Sequence, residues 1–282
     1  HPNTPNAGKY LEGVKTDIEN IYGFLSSSIG GGWKQNEIKT FTANPNYETI
    51  LPYLELCESV DFAFVYFSGH GFTDKEDIAR VSFNENDTPE VVKHLANRAK
   101  RQVTIIDACR SFHDFIGFEG TTLSEGISFP NHNPQYTRKL FDSYILNLPE
   151  TRVLLCATSK GYASMDYGKN YGGIFSSSLL SVVKSNLKKE NKLILNIAEI
   201  FKWAKVNTQI NEPNQRPEIF ISDENAYKLP FAVNPYSQHQ KRLRFDQFEN
   251  ENIYEEIAKG LLVGAGIVMT GVLIGSLLSN KK

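Results

Sequence analysis

Cysteine is scarce in this chain of 282 residues, and the scarcity limits what the protein can be. The three cysteines, Cys57, Cys109 and Cys156, are odd in number and widely spaced. This pattern argues against a disulfide framework and favours a reducing compartment. The C-x-x-C and H-x-x-x-H spacings of common zinc sites are also missing from the sequence, so we predict no metal site of that kind.

An excess of charge of one sign is missing as well. The 30 Lys and Arg residues nearly balance the 32 Asp and Glu residues, which leaves a formal net charge of −2. This balance gives no reason to expect a nucleic-acid partner. With 40% hydrophobic and 22% charged residues, the composition is typical of a globular protein with a substantial core. The chain begins at His1 and not at a methionine, so we expect a further segment upstream. The given sequence shows no secretory signal peptide.

One uncharged apolar run is long enough to cross a membrane. Residues 260–278 are 19 residues without a charge, which as a helix would extend about 28 Å, close to the thickness of a bilayer core. The alternative is a buried helix of a soluble domain, but such a helix usually keeps a polar stripe. Only Thr270 and Ser276 are polar in this run. We therefore predict a transmembrane helix over residues 257–279.

The glycines of this run bear on whether the predicted helix has a partner. Gly260, Gly264, Gly271 and Gly275 form two small-x-x-x-small pairs, which allow membrane helices to pack closely as a homo-oligomer. The ordinary glycine content of a membrane helix explains them equally well. Because no signal peptide is visible, we expect a single-pass tail anchor with the remainder of the chain in the cytoplasm.

The rest of the chain alternates between helical and strand patterns. Apolar spacing predicts helices over residues 11–28, 47–57, 89–101, 136–146, 175–188 and 194–207. Short apolar runs predict strands over residues 37–41, 152–157 and 218–222 and within 60–71 and 102–111. Polar sequence predicts loops over residues 72–86 and 112–136 and a linker over 231–256. This alternation is typical of an α/β fold with right-handed crossovers and a mostly parallel sheet.

Two of the predicted strands end at reactive side chains. The first reads Val-Asp-Phe-Ala-Phe-Val-Tyr-Phe-Ser-Gly-His-Gly over residues 60–71, and the second reads Gln-Val-Thr-Ile-Ile-Asp-Ala-Cys-Arg-Ser over residues 102–111. Catalytic groups of open α/β sheets gather beyond the carboxyl ends of parallel strands. If these strands are neighbours, His70 and Cys109 lie within one strand spacing, about 5 Å. A thiol beside an imidazole is the minimum equipment for nucleophilic catalysis.

Four sequence blocks in this order resemble the caspase-like (clan CD) cysteine peptidases, specifically the metacaspases and bacterial caspase homologues. The blocks are Leu-Glu-Gly-Val-Lys-Thr-Asp at 11–17, Ser-Gly-His-Gly at 68–71, Asp-Ala-Cys-Arg-Ser at 107–111 and Gly-Gly-Ile-Phe-Ser at 172–176. The resemblance covers residues 10–222. It implies a caspase-hemoglobinase-like three-layer sandwich with a mostly parallel central sheet. The family has a strand before its first helix, which is absent here, so the resemblance leaves one sheet edge undefined.

The resemblance implies catalytic roles for three residues. Cys109 would attack the scissile carbonyl as a thiolate, and His70 would activate the thiol or protonate the leaving amine. The backbone N–H groups of Gly71 and Cys109 would form the oxyanion hole. The structural alternatives are a buried inert cysteine and a core histidine, but the glycines beside His70 favour close approach of a ligand. His113 falls in an irregular stretch, and we expect it to be a solvent-exposed loop residue.

The resemblance also implies a specificity. Asp17, Ser68 and Asp107 match the residues that form an acidic S1 pocket in metacaspases, whereas caspases proper have glutamine at the position of Asp107. A pair of carboxylates selects arginine or lysine through charge-assisted hydrogen bonds. The alternative is that Asp17 caps or pairs on its helix surface while Asp107 orients a nearby loop. We predict the acidic pocket and consider Asp166 as a further member.

Calcium and self-cleavage are two further properties of the family. Many metacaspases hold calcium in an acidic cluster after the histidine strand; Glu85 and Asp87 fall near its first positions and nothing matches the rest. The sequence therefore does not support a calcium site, and we predict no cofactor. The stretch 112–136 lies where caspase-like zymogens are cut. With an acidic S1 pocket, Arg138 or Lys139 would be self-cleavage sites.

These observations predict a membrane-anchored cysteine endopeptidase that cleaves proteins after Arg or Lys, in regulated proteolysis such as cell death or anti-phage defence. Its parts would be a peptidase domain (1–230), a polar linker (231–256) and the transmembrane helix. An alternative of a different class remains. It is a signalling effector whose caspase-like domain senses a ligand or partner, and whose C-terminal helix oligomerises to disrupt the membrane.

Overall fold

The computed structural model describes residues 11–42, 45–84, 88–112, 127–130, 133–187, 192–234 and 236–237, and the backbone of residues 265–270 and 272–276. The helices are α1 (Gly13–Ser26), α2 (Tyr47–Cys57), α3 (Val92–Ala96), α4 (Pro134–Leu146), α5 (Ile174–Asn186) and α6 (Ile197–Asn211). The strands are β1 (Ile38–Phe41), β2 (Phe62–Ser68), β3 (Gly71–Thr73), β4 (Ala79–Val81), β5 (Glu90–Val91), β6 (Arg101–Asp107), β7 (Thr151–Cys156), β8 (Ile194–Asn196), β9 (Glu218–Ile221), β10 (Pro230–Val233), β11 (Ala265–Thr270) and β12 (Val272–Ser276).

A seven-stranded sheet in the order β1-β11-β12-β2-β6-β7-β9 forms the centre of the fold. β2, β6 and β7 are parallel neighbours, and β9 pairs antiparallel with β7. All seven residues of β2 are buried, as are six of the seven residues of β6. Such burial is expected where helices cover both faces of a parallel sheet. The predicted α/β fold with a mostly parallel central sheet is confirmed.

The side chains of β2 alternate between two core layers. Phe62, Phe64 and Tyr66 belong to a large apolar cluster that includes residues of α1, α4, α5 and α6. Val65 and Phe67 belong to a smaller cluster with residues of α2 and α3. Because successive strand residues point to opposite faces of a sheet, the two clusters lie on opposite sides of it. The sheet is thus the middle layer of three.

Several elements differ from the sequence prediction in their ends or type. The predicted helix over residues 89–101 contracts to the five residues of α3. The predicted loop over residues 72–86 contains β3 and β4, which form a small antiparallel sheet with β5. The helix predicted from residue 194 begins at Ile197, because the three preceding residues pair antiparallel with β10. All four residues of β10 are buried, so the packed domain extends past residue 230.

The C-terminal apolar run differs most from its prediction. In place of the predicted helix over residues 257–279, its described residues form strands β11 and β12 within the central sheet. β11 pairs in parallel with both β1 and β2. An apolar run rich in Val, Ile and Gly lacks a periodicity that distinguishes a buried strand from a helix. Across the described ranges, no helix is long and apolar enough to span a membrane.

Candidate active site

The carboxyl ends of β2 and β6 meet at one edge of the sheet. Ser68 and Asp107 are the last register pair of these parallel strands. The N–H of Gly69 donates to the Asp107 carbonyl oxygen over 3.1 Å, which keeps the two segments adjacent beyond the last register pair. His70 and Cys109 each follow two residues after a member of this pair. The structure therefore brings the two reactive strand ends predicted from the sequence to the same edge.

Gly71 lies directly against the strand end that carries the cysteine. A Cβ atom at this position would lie 2.8 Å from the carbonyl oxygen of Cys109 and 2.8 Å from the Cβ of Ala108. Any side chain at this position would push Gly71 away from the end of β6, so glycine is required here. The backbone after His70 and the backbone of Cys109 are consequently in direct contact.

The thiol of Cys109 is held by the backbone of Ser164. The Ser164 N–H donates to Sγ over 3.3 Å, and Sγ donates to the Ser164 carbonyl oxygen over 3.4 Å. Burial raises the pKa of the Cys109 thiol, and the hydrogen bond from Ser164 opposes this rise. The thiol is therefore mainly protonated at neutral pH and needs a base to become a nucleophile. Burial raises the pKa of Cys57 and Cys156 further, to about 12 each.

Asp17 lies on the core-facing side of α1 and contacts the end of β2. It is 2% exposed and shares its helix face with Gly13 and Ile21. Its carboxylate accepts hydrogen bonds from the Ser68 hydroxyl over 2.7 Å and from the Gly173 N–H over 2.9 Å. Burial raises its pKa well above the ordinary value, and the charge of Asp107 raises it further. This geometry contradicts the alternative in which Asp17 caps or pairs on the helix surface.

Asp107 is 5% exposed and accepts three hydrogen bonds. The N–H and hydroxyl of Ser176 donate to one carboxylate oxygen over 3.0 and 2.7 Å, and the Ser164 hydroxyl donates to the other over 2.7 Å. Burial raises the pKa of this carboxyl, while the hydrogen bonds from Ser176 and Ser164 counteract the rise. The donors thus favour the ionised form of this carboxyl, whereas burial favours the neutral form.

Two glycines let the loop after β7 approach both carboxylates. A Cβ at Gly172 would lie 2.1 Å from Oδ1 of Asp17, and a Cβ at Gly173 would lie 2.4 Å from Oδ2 of Asp107. Gly172 also has φ = +71°, which other residues rarely adopt. The glycine pair of the fourth sequence block therefore permits close packing of the loop against Asp17 and Asp107.

Asp166 is a third carboxylate at this site. It accepts hydrogen bonds from the N–H of Gly13 over 3.0 Å and from the N–H of Gly168 over 2.8 Å. Its charge raises the pKa of both Asp17 and Asp107. Three carboxylates that influence one another in this way destabilise their common ionised state, and a bound cation would relieve the repulsion. We refer to Asp17, Asp107 and Asp166 as the carboxylate cluster.

Arg110, the residue directly after Cys109, connects the end of β6 to the edge strand β9. Its guanidinium donates to Glu218 over 2.6 Å and lies 5.6 Å from the ring centroid of Phe220. Its backbone pairs with the loop after β7: its N–H donates to the Tyr162 carbonyl over 3.0 Å, and the Gly161 N–H donates to its carbonyl over 2.8 Å. This loop is therefore held alongside the nucleophile as well as over the carboxylate cluster.

The structure unites most of the site residues predicted from the sequence and adds several others. Asp17, Ser68 and Asp107 are in one hydrogen-bonded cluster, and Asp166 joins them. Ser176 lies in the fourth sequence block but was assigned no role. Ser164 and Gln215 were missed, because a single serine or glutamine in a loop carries no distinctive sequence signal. His113, Glu85 and Asp87 lie outside the described residues. Within the described part of the chain, no three His, Cys, Asp or Glu residues form a metal-holding group.

Comparison with known protein families identifies the family of the chain. A family model described as "Caspase domain", of the peptidase C14 family, matches residues 3–227, and the chain belongs to this family. Among solved structures, caspase-1 from Spodoptera frugiperda is similar at 17% sequence identity, over 78% of this chain and 82% of that chain, with a TM-score of 0.49. A comparison with curated proteins finds no match. The protein is a caspase-type cysteine peptidase.

Proposed function

We propose that the protein is a cysteine endopeptidase that cleaves proteins after arginine or lysine. The observation that supports this specificity best is the carboxylate cluster, which lies beside the nucleophile and is largely buried. Asp17 and Asp107 are 2% and 5% exposed, so their charges are poorly screened by water. A guanidinium or ammonium group would neutralise the cluster and donate hydrogen bonds to its carboxylates, a guanidinium in bidentate geometry. An aspartate side chain would be repelled.

The reaction follows from the groups at the sheet edge. His70 would take the proton from Cys109 Sγ, and the thiolate would attack the scissile carbonyl carbon. The N–H groups of Gly71 and Cys109 would donate to the resulting oxyanion. His70 would return the proton to the leaving amine, and water would then hydrolyse the thioester. Because Sγ now donates to the Ser164 carbonyl, this hydrogen bond must break before attack.

Peptides that differ only in their P1 residue test the specificity. We expect hydrolysis after Arg and Lys and none after Asp, and no activity from Cys109→Ala. Asp107→Asn should lower the ratio of kcat/KM for Arg over a neutral P1 residue about tenfold to a hundredfold, the value of a charge-assisted hydrogen bond. Asp223→Asn is the matched control, because Asp223 caps the 3-10 helix Glu224–Lys228 and is not a member of the carboxylate cluster. An Asp preference in the wild type would overturn the proposal.

A membrane anchor is a separate proposal that rests on the sequence. We propose that residues 257–279 can insert into a membrane as a single helix with the peptidase domain in the cytoplasm, in which state β11 and β12 would leave the sheet. The support is the run of 19 uncharged residues. Flotation with lipid vesicles tests it: the full chain should float, and a chain ending at residue 256 should not. Equal behaviour of both chains would refute the anchor.

A further inference from the structure

Gln215 is a fully buried side chain that reaches from the segment after α6 into the site. It is 0% exposed. Its Nε2 donates to the Ala157 carbonyl over 3.0 Å and to the Ser164 hydroxyl oxygen over 3.1 Å, and its Oε1 accepts from the Met165 N–H over 3.1 Å. Both donor positions of the amide are therefore used, and all three partners belong to the chain between β7 and α5.

The orientation of this amide is fixed by its backbone partners. The Met165 N–H can only donate and the Ala157 carbonyl can only accept, so the two ends of the Gln215 amide cannot be exchanged. Its NH2 group must therefore donate to the Ser164 oxygen. A serine hydroxyl has a single proton, and with its oxygen occupied as an acceptor, Ser164 directs that proton to Asp107 Oδ1 over 2.7 Å.

The other carboxylate oxygen of Asp107 also accepts from a serine whose hydroxyl is oriented by a buried neighbour. The Ser176 hydroxyl donates to Oδ2, and the Tyr66 hydroxyl lies 2.6 Å from the same serine oxygen. Because the Ser176 proton is directed to Asp107, Tyr66 is the donor in this contact. Each serine that donates to Asp107 is thus itself fixed by a buried donor, Gln215 in one case and Tyr66 in the other.

We propose that Gln215 is a positioning residue for substrate recognition, which directs the Ser164 hydroxyl proton to Asp107 and so keeps Asp107 a negatively charged acceptor for a basic P1 side chain. The inference rests on the proposed Arg and Lys specificity, because it assigns the positioned charge to the P1 cation. Gln215 acts through Ser164, since its own hydrogen bonds end on the protein.

The direction of the expected pH effect follows from the groups around Asp107. Those that interact with it are Asp17 from α1, Asp166 from the loop after β7, Tyr66 from β2 and Cys109 from the end of β6. A weaker hydrogen bond from Ser164 raises the pKa of Asp107, because the donor favours the ionised form. A basic P1 residue needs that form. The acid limb of the pH profile, which is the range where kcat/KM falls as the pH is lowered, should therefore move to higher pH.

We refer to the hydrogen bonds from Gln215 to Ser164 and from Ser164 to Asp107 as the relay. Three variants test it: Gln215→Met, Ser164→Ala and the double variant, each assayed against pH with an Arg-P1 peptide. Methionine keeps the length of glutamine but removes the donors. We expect each single variant to move the acid limb up by about one pH unit and to raise KM more than it lowers kcat. The double variant should move the limb no further than Ser164→Ala alone. An unmoved limb in either single variant, or additive shifts in the double variant, would overturn the proposal.

Gln102 offers a matched control for the loss of buried hydrogen bonds. It is also 0% exposed and bonds through both ends of its amide, at the amino end of β6 away from the site. Gln102→Met should lower the Tm and leave the acid limb unchanged. If Gln215→Met does not fold, an unmoved limb in Ser164→Ala still overturns the proposal, because the relay requires that this variant move the limb. A wild type that lacks a basic P1 preference would reject the proposed function; a wild type with that preference but unmoved limbs in the variants would reject only the relay.

Discussion

At the scale of single residues, Asp17 shows how the site works against the stability of the fold. Burial and the charge of Asp107 raise its pKa well above the ordinary value of 3.8. A carboxyl with a higher pKa in the folded state than in the unfolded state binds a proton more tightly on folding. The contribution of Asp17 to the free energy of unfolding therefore decreases as the pH rises from 3.8 through the raised pKa.

Asp17→Asn should increase the stability of the protein and lower its peptidase activity. The amide can accept from the Gly173 N–H and donate to the Ser68 oxygen without any charge, so we expect the free energy of unfolding at pH 7 to rise by about 1 kcal/mol. Urea unfolding at pH 7 and pH 4 measures this gain, which should shrink at pH 4. Hydrolysis after Arg should fall in the same variant. A loss of stability at pH 7 would contradict the electrostatic account.

The sequence could predict only some of these residues, for a physical reason. Ser68 and Asp107 precede reactive groups at the ends of two apolar runs, so local pattern alone places them at one edge. Asp17 was found through family resemblance. Ser164, Ser176 and Gln215 reach the site through contacts between residues 50 to 69 positions apart. Such contacts depend on how the loop after β7 packs, which has no local sequence signal.

At the scale of elements, α4 is fixed to the segment before β1 by a buried cation. Arg138 is 7% exposed and donates to Glu37 and to Asp142 over 2.6 Å each. Its guanidinium also lies 4.7 Å from the ring centroid of Trp33. A peptidase binds its substrate in extended form, so α4 would have to unwind before cleavage. These contacts argue against the expectation that the folded protein is cut at Arg138.

Arg138→Met should destabilise the protein by about 3 kcal/mol, because Glu37 would remain buried without its cation. Adding Glu37→Gln should recover part of the loss, since the unpaired charge is then removed. Urea unfolding of both variants measures these values. Lys139→Met is the matched control on the exposed side of the same helix and should change the free energy of unfolding by less than about 0.5 kcal/mol. Equal effects at the two positions would argue against the buried ion pair.

The sequence predicted elements well where the local apolar pattern matches the observed burial. It predicted them poorly where pairing with a strand distant in sequence determines whether a segment is a helix or a strand. The prediction for α2 matches its observed bounds, Tyr47–Cys57. In contrast, β8 was included in a helix because only its antiparallel pairing with β10 identifies it as a strand. The run that contains β11 and β12 was assigned to a helix on the basis of its length and apolarity, which two consecutive apolar strands together share.

At the scale of the whole molecule, the positions of basic residues constrain how the peptidase is activated. Residues 111–137 contain neither lysine nor arginine. The flanking Arg110 is paired with Glu218, and the other flanking residue, Arg138, is buried in α4. An enzyme that requires a basic P1 residue therefore has no accessible site in this stretch of its own chain.

We expect the wild-type protein to hydrolyse Arg-P1 peptides without a cut within residues 111–137. Mass spectrometry after incubation at high protein concentration should find no cleavage within residues 111–137, with Cys109→Ala as the control for contaminating peptidases. Cleavage in that stretch by the wild type and not by the variant would show that a basic P1 residue is not required, and would therefore count against the proposed specificity as well.

The carboxylate cluster has a practical consequence for finding inhibitors. Because the charges of Asp17, Asp107 and Asp166 repel one another, any cationic molecule that binds among them should stabilise the folded state by mass action. A thermal-shift screen of amidines, guanidines and amines would then identify binders without a known substrate or an activity assay. Fragments found in this way could carry a thiol-reactive group toward Cys109, which would turn the repulsion among the three carboxylates into a starting point for chemistry.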